Sequence, residues 1–371
     1  MTTMMKQAVL GLLALVMSGC AEQTLTIEVT NPTDMAREKE SIEVAWESGM
    51  PENAVVFNAA GEEIPSQVIY AGYDTPQALL FQADVAANAS ATYTIKAGER
   101  KAYPQQAFGR QVPERYDDYA WENNKVVYRL YGPALETSPE KLVTPGIDVW
   151  VKCTEKLVID EWYAKKDYHH NYGEGMDCYK VGRTLGGGSS VPFVEGAPMM
   201  LPHNYATAET LENGPIRTMV RLVYPAFEID GKQITLTKII SLDANSHFNR
   251  MESVYEGDFG LLPIASGFVR HTVKQVAAGP GWFAFQEEVS DSKEPERDGD
   301  IFAAILLPEA EIQPDVANHA LAIKSVKPGE SLVYWAGTGW SQGGIADMEA
   351  WEAKVAAQQA QIESPLQYTI Q

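Results

Sequence analysis

The residues best suited to proton transfer lie together between Tyr168 and Ser190, in the stretch YHHNYGEGMDCYKVGRTLGGGSS. Two of the six histidines of the chain stand side by side there, His169 and His170. A histidine titrates near neutral pH and therefore suits general acid–base catalysis. Glycine allows positive φ angles and close approach of a ligand. This stretch is rich in glycine and also carries many acidic, basic and aromatic side chains. It therefore predicts a catalytic or binding loop.

The histidine pair leaves other interpretations open. On a strand the two rings would point to opposite faces, whereas in an irregular loop both could converge on one cleft. Purely structural hydrogen bonding is one alternative, and a metal site is another. The metal ligands would be His169, His170, Glu174 and Asp177. Their spacing matches no standard zinc pattern, although loop carboxylates could also bind calcium.

A second cluster runs from Arg115 to Gly132 and reads RYDDYAWENNKVVYRLYG. Aromatic rings stack on sugar faces, while amides and carboxylates hydrogen-bond hydroxyl groups, so this mixture suits a carbohydrate-binding cleft. Trp121 and Asn123 are the predicted sugar contacts in this cluster, and His170 of the glycine-rich stretch is a further predicted substrate contact. The alternative is that such aromatic residues belong to the core or its rim.

Basic residues are scattered along the chain, and any that share a cleft would bind a carboxylate. Arginine does so bidentately and keeps its charge. The predicted contacts are Lys152, Arg183, Arg217 and His271, within a wider set that includes Arg221, Arg250 and Arg270. Surface ion pairing is the alternative for all of them.

The N-terminus resembles a lipoprotein export signal. Lys6 precedes the apolar run Ala8–Met17, which is too short to span a bilayer as a helix. Ser-Gly-Cys20 follows and resembles a bacterial lipobox, so cleavage would remove residues 1–19 and acylation of Cys20 would tether the chain in the periplasm or at the outer membrane. An ordinary cleaved signal is the alternative. No later segment is long and apolar enough to span a membrane.

Composition limits the classes of partner. The chain of 371 residues has a net charge of −21, which argues against nucleic-acid binding but not against a small anionic substrate. No GxSxG, phosphate-loop or dinucleotide pattern occurs, so no cofactor is predicted. Cys153 and Cys178 have no zinc-type spacing and could either pair or remain free thiols.

The periodicity predicts a mainly β protein with two domains. Residues 20–100 alternate apolar and polar side chains between turn signals, which is typical of a small β-sandwich. Residues 101–371 continue with longer strands and predict a large antiparallel β-sandwich, a supersandwich of the mutarotase-like kind. The segment Asp347–Ile362 predicts a short C-terminal helix that begins at an Asp347 cap and buries Trp351 and Val355.

The order of these features resembles a known family. After the export signal come a GEEIPSQ turn at Gly61–Gln67, then WEN, GIDVW, the glycine-rich stretch and the final helix. This order resembles the uncharacterised-domain family DUF4861, found in polysaccharide-degrading gene clusters of marine and gut bacteria, over essentially the whole mature chain. The family is similar to an oligosaccharide dehydratase of ulvan breakdown, which implies loss of water from a terminal uronic acid and a 4,5-unsaturated product.

The expected reaction is a β-elimination across C4 and C5 of a non-reducing-end glucuronate or iduronate. His169 would remove the C5 proton, and Tyr179 would protonate the departing 4-hydroxyl, with Tyr168 or Tyr172 as substitutes. Arg217 or Arg183 would neutralise the carboxylate, where charge builds in the transition state.

Two alternatives to this reaction stay open at the level of sequence. A polysaccharide or oligosaccharide lyase would use the same groups to expel a sugar from C4 instead of water. A sugar-binding lipoprotein without catalytic activity would need the aromatic and arginine residues but not the histidines.

Overall fold

The computed structural model describes residues 24–165 and 167–371, and antiparallel β-sheet dominates it. The predicted signal at residues 1–19 and the lipidation site Cys20 lie outside the described residues. Within the described ranges, no helix has both the length and the apolar character needed to cross a bilayer. The predicted mainly β fold is confirmed.

The N-terminal domain is a small sandwich of two sheets. Its first strands are β1 (Thr24–Thr30), β2 (Arg37–Ala45), β3 (Ala54–Phe57), β4 (Glu63–Ile64), β5 (Ser66–Ile69), β6 (Ala78–Val85) and β7 (Ser90–Ala97). They pair in the orders β1-β7-β3-β4 and β2-β6-β5. Period-2 alternation puts Ile27, Val44 and Phe81 into the space between the sheets, where burial of apolar area stabilises the domain.

The next part of the chain forms a sheet ordered β12-β11-β10-β9-β8, which we call the site sheet. Its elements are β8 (Ala107–Val112), β9 (Asp118–Asn123), β10 (Val126–Leu130), β11 (Ile147–Lys152), α1 (Ile159–Lys165) and β12 (Gly175–Asp177). One face of the site sheet packs into the main core through residues such as Trp121, Tyr128 and Val149. The other face is covered by residues 158–165 and 167–174, the covering segment, whose Trp162 packs on Trp150.

The rest of the chain builds the large sandwich. Its elements are β13 (Gly187–Val194), β14 (Ala197–Pro198), β15 (Thr207–Glu212), β16 (Arg217–Ile229), β17 (Lys232–Asp243), β18 (Phe248–Gly257), β19 (Leu262–Val269), β20 (Val273–Gly279), β21 (Trp282–Glu288), α2 (Pro295–Asp298), β22 (Asp300–Leu306), β23 (Glu311–Val316), β24 (His319–Val326) and β25 (Ser331–Trp340). The strands pair as β15-β16-β17-β18-β25-β22-β21-β20 and as β14-β13-β19-β24-β23. A parallel bridge between Ile147 and Gly186 joins the five-stranded sheet to the site sheet. One hydrophobic core lies between these two sheets and the eight-stranded sheet.

The C-terminal helix α3 (Met348–Glu363) forms as predicted. The side chain of Asp347 accepts a hydrogen bond from the backbone of Ala350 at 2.9 Å and caps the helix. Trp351 is fully buried and stacks on Phe248, so the helix covers the outer face of the large sandwich.

The chain does not end with α3. Strand β26 (Gln367–Ile370) follows and pairs with β1, so the last residues complete the N-terminal sheet. The predicted assignment of residues 101–371 to one domain therefore needs a correction. A strand of four residues with a single alternation carries no local signal for the sheet that it joins.

Candidate active site

The glycine-rich stretch runs along the edge of the site sheet as an irregular loop that leads into β12. Gly173 has φ 100° and Gly175 has φ 133°, backbone angles that favour glycine. A Cβ on Gly175 would lie 2.0 Å from the carbonyl oxygen of Val151, so glycine is needed where β12 meets β11. His169 and His170 lie in a turn before β12, so the alternative that places them on a regular strand is excluded.

His169 is accessible and has a carboxylate behind it. Its side chain is 46% exposed, and its Nδ1 lies 3.4 Å from Oδ2 of Asp177, whose side chain is 1% exposed. Asp291 stands 3.9 Å from the same nitrogen. The first distance is long for a formed hydrogen bond, as is common for catalytic contacts before substrate binds. A buried carboxylate on one ring nitrogen orients the imidazole and stabilises the imidazolium that forms when the ring takes a proton.

The carboxylate of Asp177 belongs to a buried ionic cluster centred on Arg129. Arg129 and Asp148 are directly opposite each other on β10 and β11 and form an ion pair. Asp177 lies 3.0 Å from the same guanidinium nitrogen, and Asp118 lies 4.0 Å from the guanidinium. All four side chains are at most 4% exposed. One cation thus holds Asp177 in place beneath His169.

More negative than positive charge is buried in this cluster, and the pKa values respond. Burial raises the pKa of Asp118 to about 6, although Arg129 opposes the shift. Burial also raises the pKa of Asp177, and the neighbouring Asp148 raises it further. Oδ2 of Asp118, Nε of Arg129 and the Tyr163 hydroxyl have no hydrogen-bond partner. The cluster is therefore costly for the fold, which is a property that functional sites often show.

Tyr168 connects the cluster to His169. Its hydroxyl accepts a hydrogen bond from Arg129 at 3.3 Å, and its ring stacks on Trp150 at 4.9 Å. The same ring lies 4.9 Å from the imidazole of His169, centre to centre. A base and a phenol thus stand side by side at the surface of the covering segment.

The structure does not place Tyr179 where a substrate could reach it. Its side chain is fully buried, and its hydroxyl donates to the backbone oxygen of Val269 at 2.5 Å. Burial, together with Glu287, raises its pKa well above the usual range, which makes proton loss harder. The substitutes named from sequence are better placed: Tyr168 as described, and Tyr172, which is 66% exposed.

His271 also has a structural position. Its Nδ1 lies 3.0 Å from buried Glu287, and its Nε2 lies 2.8 Å from the backbone oxygen of Lys180. Both ring nitrogens are therefore already engaged by oxygen atoms of the protein. His271 therefore holds the chain just after Asp177 instead of facing a cleft.

Arg217 is separated from His169 and serves the domain interface. Its guanidinium binds Asp243 through two nitrogens, at 2.5 and 2.8 Å, and Glu43 of the N-terminal domain at 2.5 Å. Because two protein carboxylates already occupy the guanidinium of Arg217, it is not free to bind the carboxylate of a substrate. The predicted role of Arg217 is therefore corrected.

Three predicted substrate contacts are buried and bonded to other parts of the protein. Trp121 donates to Asn249 at 2.7 Å inside the core. The amide nitrogen of Asn123 donates to two backbone oxygens at the turn after β17, and its oxygen accepts from two backbone N–H groups at the turn before β10. Lys152 pairs with Glu122 at 2.8 Å beneath the covering segment, and burial lowers its pKa. None of the three faces solvent, so they cannot contact a sugar in this conformation.

His170 and Arg183 remain open to solvent. His170 lines a small cavity of about 20 Å³ together with Glu174 and Tyr172, and Asp177 is not part of its lining. Arg183 is exposed and, within the described ranges, makes no ion pair. Glu174 instead pairs with Lys156 at 2.7 Å. The four residues considered as metal ligands are therefore not brought together as a set, and the described part of the chain contains no group of three or more His, Cys, Asp or Glu side chains that could hold a metal ion.

Several residues of the site were missed from sequence. Arg129, Asp148 and Asp291 were not singled out, although a charged residue inside an apolar strand such as VVYRL or IDVWV signals a buried ion that needs a partner. The cysteines, whose pairing was left open, are both free thiols: Cys153 is exposed and Cys178 is buried.

The chain belongs to the family described as "Domain of unknown function (DUF4861)", whose profile matches residues 29–367. The family resemblance is thereby confirmed. Over 400 aligned residues, the chain is also 30% identical to "Uncharacterized protein P7" of Formosa agariphila, covering 96% of this chain and 97% of that protein.

The fold is similar to part of larger solved structures. One is a protein in the Glycosyl Hydrolase Family 38 from Enterococcus faecalis, with a TM-score of 0.54 and 9% identity over 94% of this chain. Another is an alpha-mannosidase from Enterococcus faecalis, with a TM-score of 0.51 and 9% identity. The chain spans about half the length of these structures, 47% and 46%. At such low identity the likeness concerns the fold alone.

Proposed function

We propose that this protein is an oligosaccharide dehydratase that removes water across C4 and C5 of a non-reducing-end uronic acid in an ulvan-type oligosaccharide. The observation that carries the proposal is the exposed His169 with buried Asp177 behind it, 3.4 Å away. Family membership and a fold shared with parts of sugar-processing enzymes support a carbohydrate substrate.

In the proposed reaction His169 takes the C5 proton through Nε2, and Asp177 stabilises the resulting imidazolium. The electron pair of the C5–H bond forms the C4–C5 double bond, and the 4-hydroxyl leaves as water after protonation by Tyr168. Arg183, exposed on the chain that follows Asp177, would neutralise the uronate carboxylate, where charge develops. Acid and base both come from the chain, so the reaction needs no cofactor.

The product's mass tests this reaction. A glucuronate-terminated trisaccharide incubated with the protein is expected to keep its three sugars, lose the mass of one water and gain ultraviolet absorbance from the conjugated double bond. Activity is expected to survive treatment with EDTA. Loss of activity with EDTA and its return with a divalent ion would contradict the cofactor-free mechanism.

The same experiment separates the alternatives. A lyase needs a uronate whose 4-oxygen carries another sugar, so it would leave this terminal uronate intact. It would instead split an oligosaccharide with an internal, 4-substituted uronate into two fragments, one of them unsaturated, with no net change of mass. A binding protein would leave the sugar intact and show only a raised thermal midpoint through ligand linkage. Either result would overturn the dehydratase proposal.

We also propose that the mature protein is held at the periplasmic side of a membrane by a lipid on Cys20. Replacing Cys20 with serine is expected to leave the export signal uncleaved or to release the protein into the soluble fraction, because the acylated thiol is the only anchor proposed. Mass spectrometry of the wild-type protein after membrane extraction checks this directly. A mature wild-type chain without lipid would contradict the anchor.

A further inference from the structure

A second cleft, which we call the interdomain cleft, lies between the N-terminal sandwich, the large sandwich and helix α3. Its volume is about 480 Å³, within the range of small-molecule sites. Its walls come from β2, β18, β25 and α3. Domain interfaces are preferred positions for ligand sites because two surfaces converge there.

Five basic side chains line this cleft, next to the carboxylates of Glu38, Glu40 and Asp243: Arg37, Lys39, Arg217, Arg250 and Lys354. Most of them are neutralised. Arg37 pairs with Glu40 at 2.8 Å, and Arg250 pairs with Glu252 at 2.9 Å. Lys354 differs, since it is exposed on α3 and makes no ion pair with any residue that the structure describes. A free cation therefore stands at the cleft of a chain whose net charge is −21.

The floor of the interdomain cleft contains an indole and several amides. Trp335 lies on β25 directly opposite Arg250 on β18, and it is partly buried. Asn245, Gln358 and Gln361 line the same space. An aromatic face beside amide groups is the combination that binds a sugar, because the ring stacks and the amides bond the hydroxyls.

His247 adds a neutral acceptor to this lining. Its Nδ1 lies 3.1 Å from the backbone oxygen of Thr338 and must donate to it, so the neutral ring presents Nε2 as an acceptor. Burial lowers the pKa of His247 to about 4, which keeps the ring neutral at ordinary pH. A sugar hydroxyl would find an acceptor there instead of a second cation.

We propose that the interdomain cleft binds an anionic sugar residue, with Trp335 against the sugar ring and Lys354 at its carboxylate or sulfate group. The site shares no residue with the proposed catalytic group of Tyr168, His169 and Asp177. It would hold a further part of an acidic oligosaccharide, and it does not depend on which reaction occurs at His169.

Charge reversal at Lys354 tests the site. Isothermal titration of a glucuronate-terminated trisaccharide into His169→Ala, which prevents turnover, is expected to show a site that Lys354→Glu weakens about tenfold or more, the size expected for a hydrogen bond to a charged group. Lys232→Glu is the matched control, since Lys232 is exposed at the start of β17 and changes net charge equally. Equal binding by the two reversed variants would overturn the proposal.

Two further arms identify the ligand chemistry. Carboxyl-reduced trisaccharide is expected to bind about tenfold more weakly than the uronate, and a sulfated trisaccharide without uronate shows whether sulfate replaces the carboxylate. Trp335→Ala is expected to weaken all three sugars, with folding checked by thermal unfolding; unchanged binding by this folded variant would overturn the stacking role. If wild-type protein proves inactive, the same titrations are made with it, so failure of the proposed reaction does not affect this test.

Discussion

Replacing His169 with alanine is expected to lower kcat on a glucuronate-terminated oligosaccharide by about 10²–10⁴-fold, the usual contribution of a positioned proton-transfer group. The fold should remain intact, because the side chain is 46% exposed and lies on an irregular loop. Initial rates from the ultraviolet absorbance of the product, with a thermal melt of each variant, measure both effects.

His203 provides a matched control for this experiment. It also has a carboxylate on Nδ1, Glu136 at 3.0 Å, and it is 52% exposed, but it lies far along the chain from the covering segment. His203→Ala is therefore expected to leave kcat unchanged. A loss of less than tenfold in His169→Ala would contradict the assignment and move the base to His170.

Removal of the Arg129 charge is expected to be the most destabilising single change in the site. Arg129→Met would leave Asp118, Asp148 and Asp177 buried without their cation, and breaking such a pair by removing one partner costs about 3–5 kcal/mol. Denaturant unfolding at neutral pH measures the free energy of unfolding. Arg129→Lys keeps the charge but not the planar fork and should fall between wild type and the methionine variant.

Arg221→Met is the control for this change. Arg221 pairs with Glu209 at 2.5 Å, but both side chains are more than a third exposed, so its loss should cost about 1 kcal/mol or less. A similar small cost for Arg129→Met would show that the buried cluster carries no net stabilisation from its cation.

The cluster also predicts how the stability of the wild-type protein depends on pH. Burial raises the pKa of Asp118 to about 6, above its value in the unfolded chain, so the native state holds this proton more tightly. The contribution of Asp118 to stability is therefore complete below about pH 4 and is lost as the pH rises through 6. Asp118→Asn should remove this part of the pH dependence.

Elements whose signals are local could be predicted from the sequence. The long antiparallel strands predicted beyond residue 101 form, and the helix begins after its predicted Asp347 cap. Apolar alternation and capping depend on residues within one or two turns of each other, so no tertiary information is needed. The glycine-rich stretch was located for a similar reason, since glycine, histidine and carboxylate density is a property of the sequence itself.

The ionic cluster could be predicted only in part. A charged residue within VVYRL must find a partner if the strand is buried, but which partner depends on register. Arg129 meets Asp148 because β10 and β11 pair in one register, and it meets Asp177 because β12 joins the same sheet. Asp148 and Asp177 follow Arg129 by 19 and 48 residues in the chain, so no local sequence pattern predicts these contacts.

The sequence by itself determined the chemistry that was available: a mainly β chain of the DUF4861 family, a net negative charge, and a histidine pair in a glycine-rich stretch. Only the tertiary structure decided which groups share a site. It buried Trp121 and Lys152 beneath other side chains, gave Arg217 to the domain interface, and put Asp177 behind His169. The physical reason is that residue type sets what a side chain can do, whereas burial and strand register, which arise from contacts distant in the chain, set what it meets.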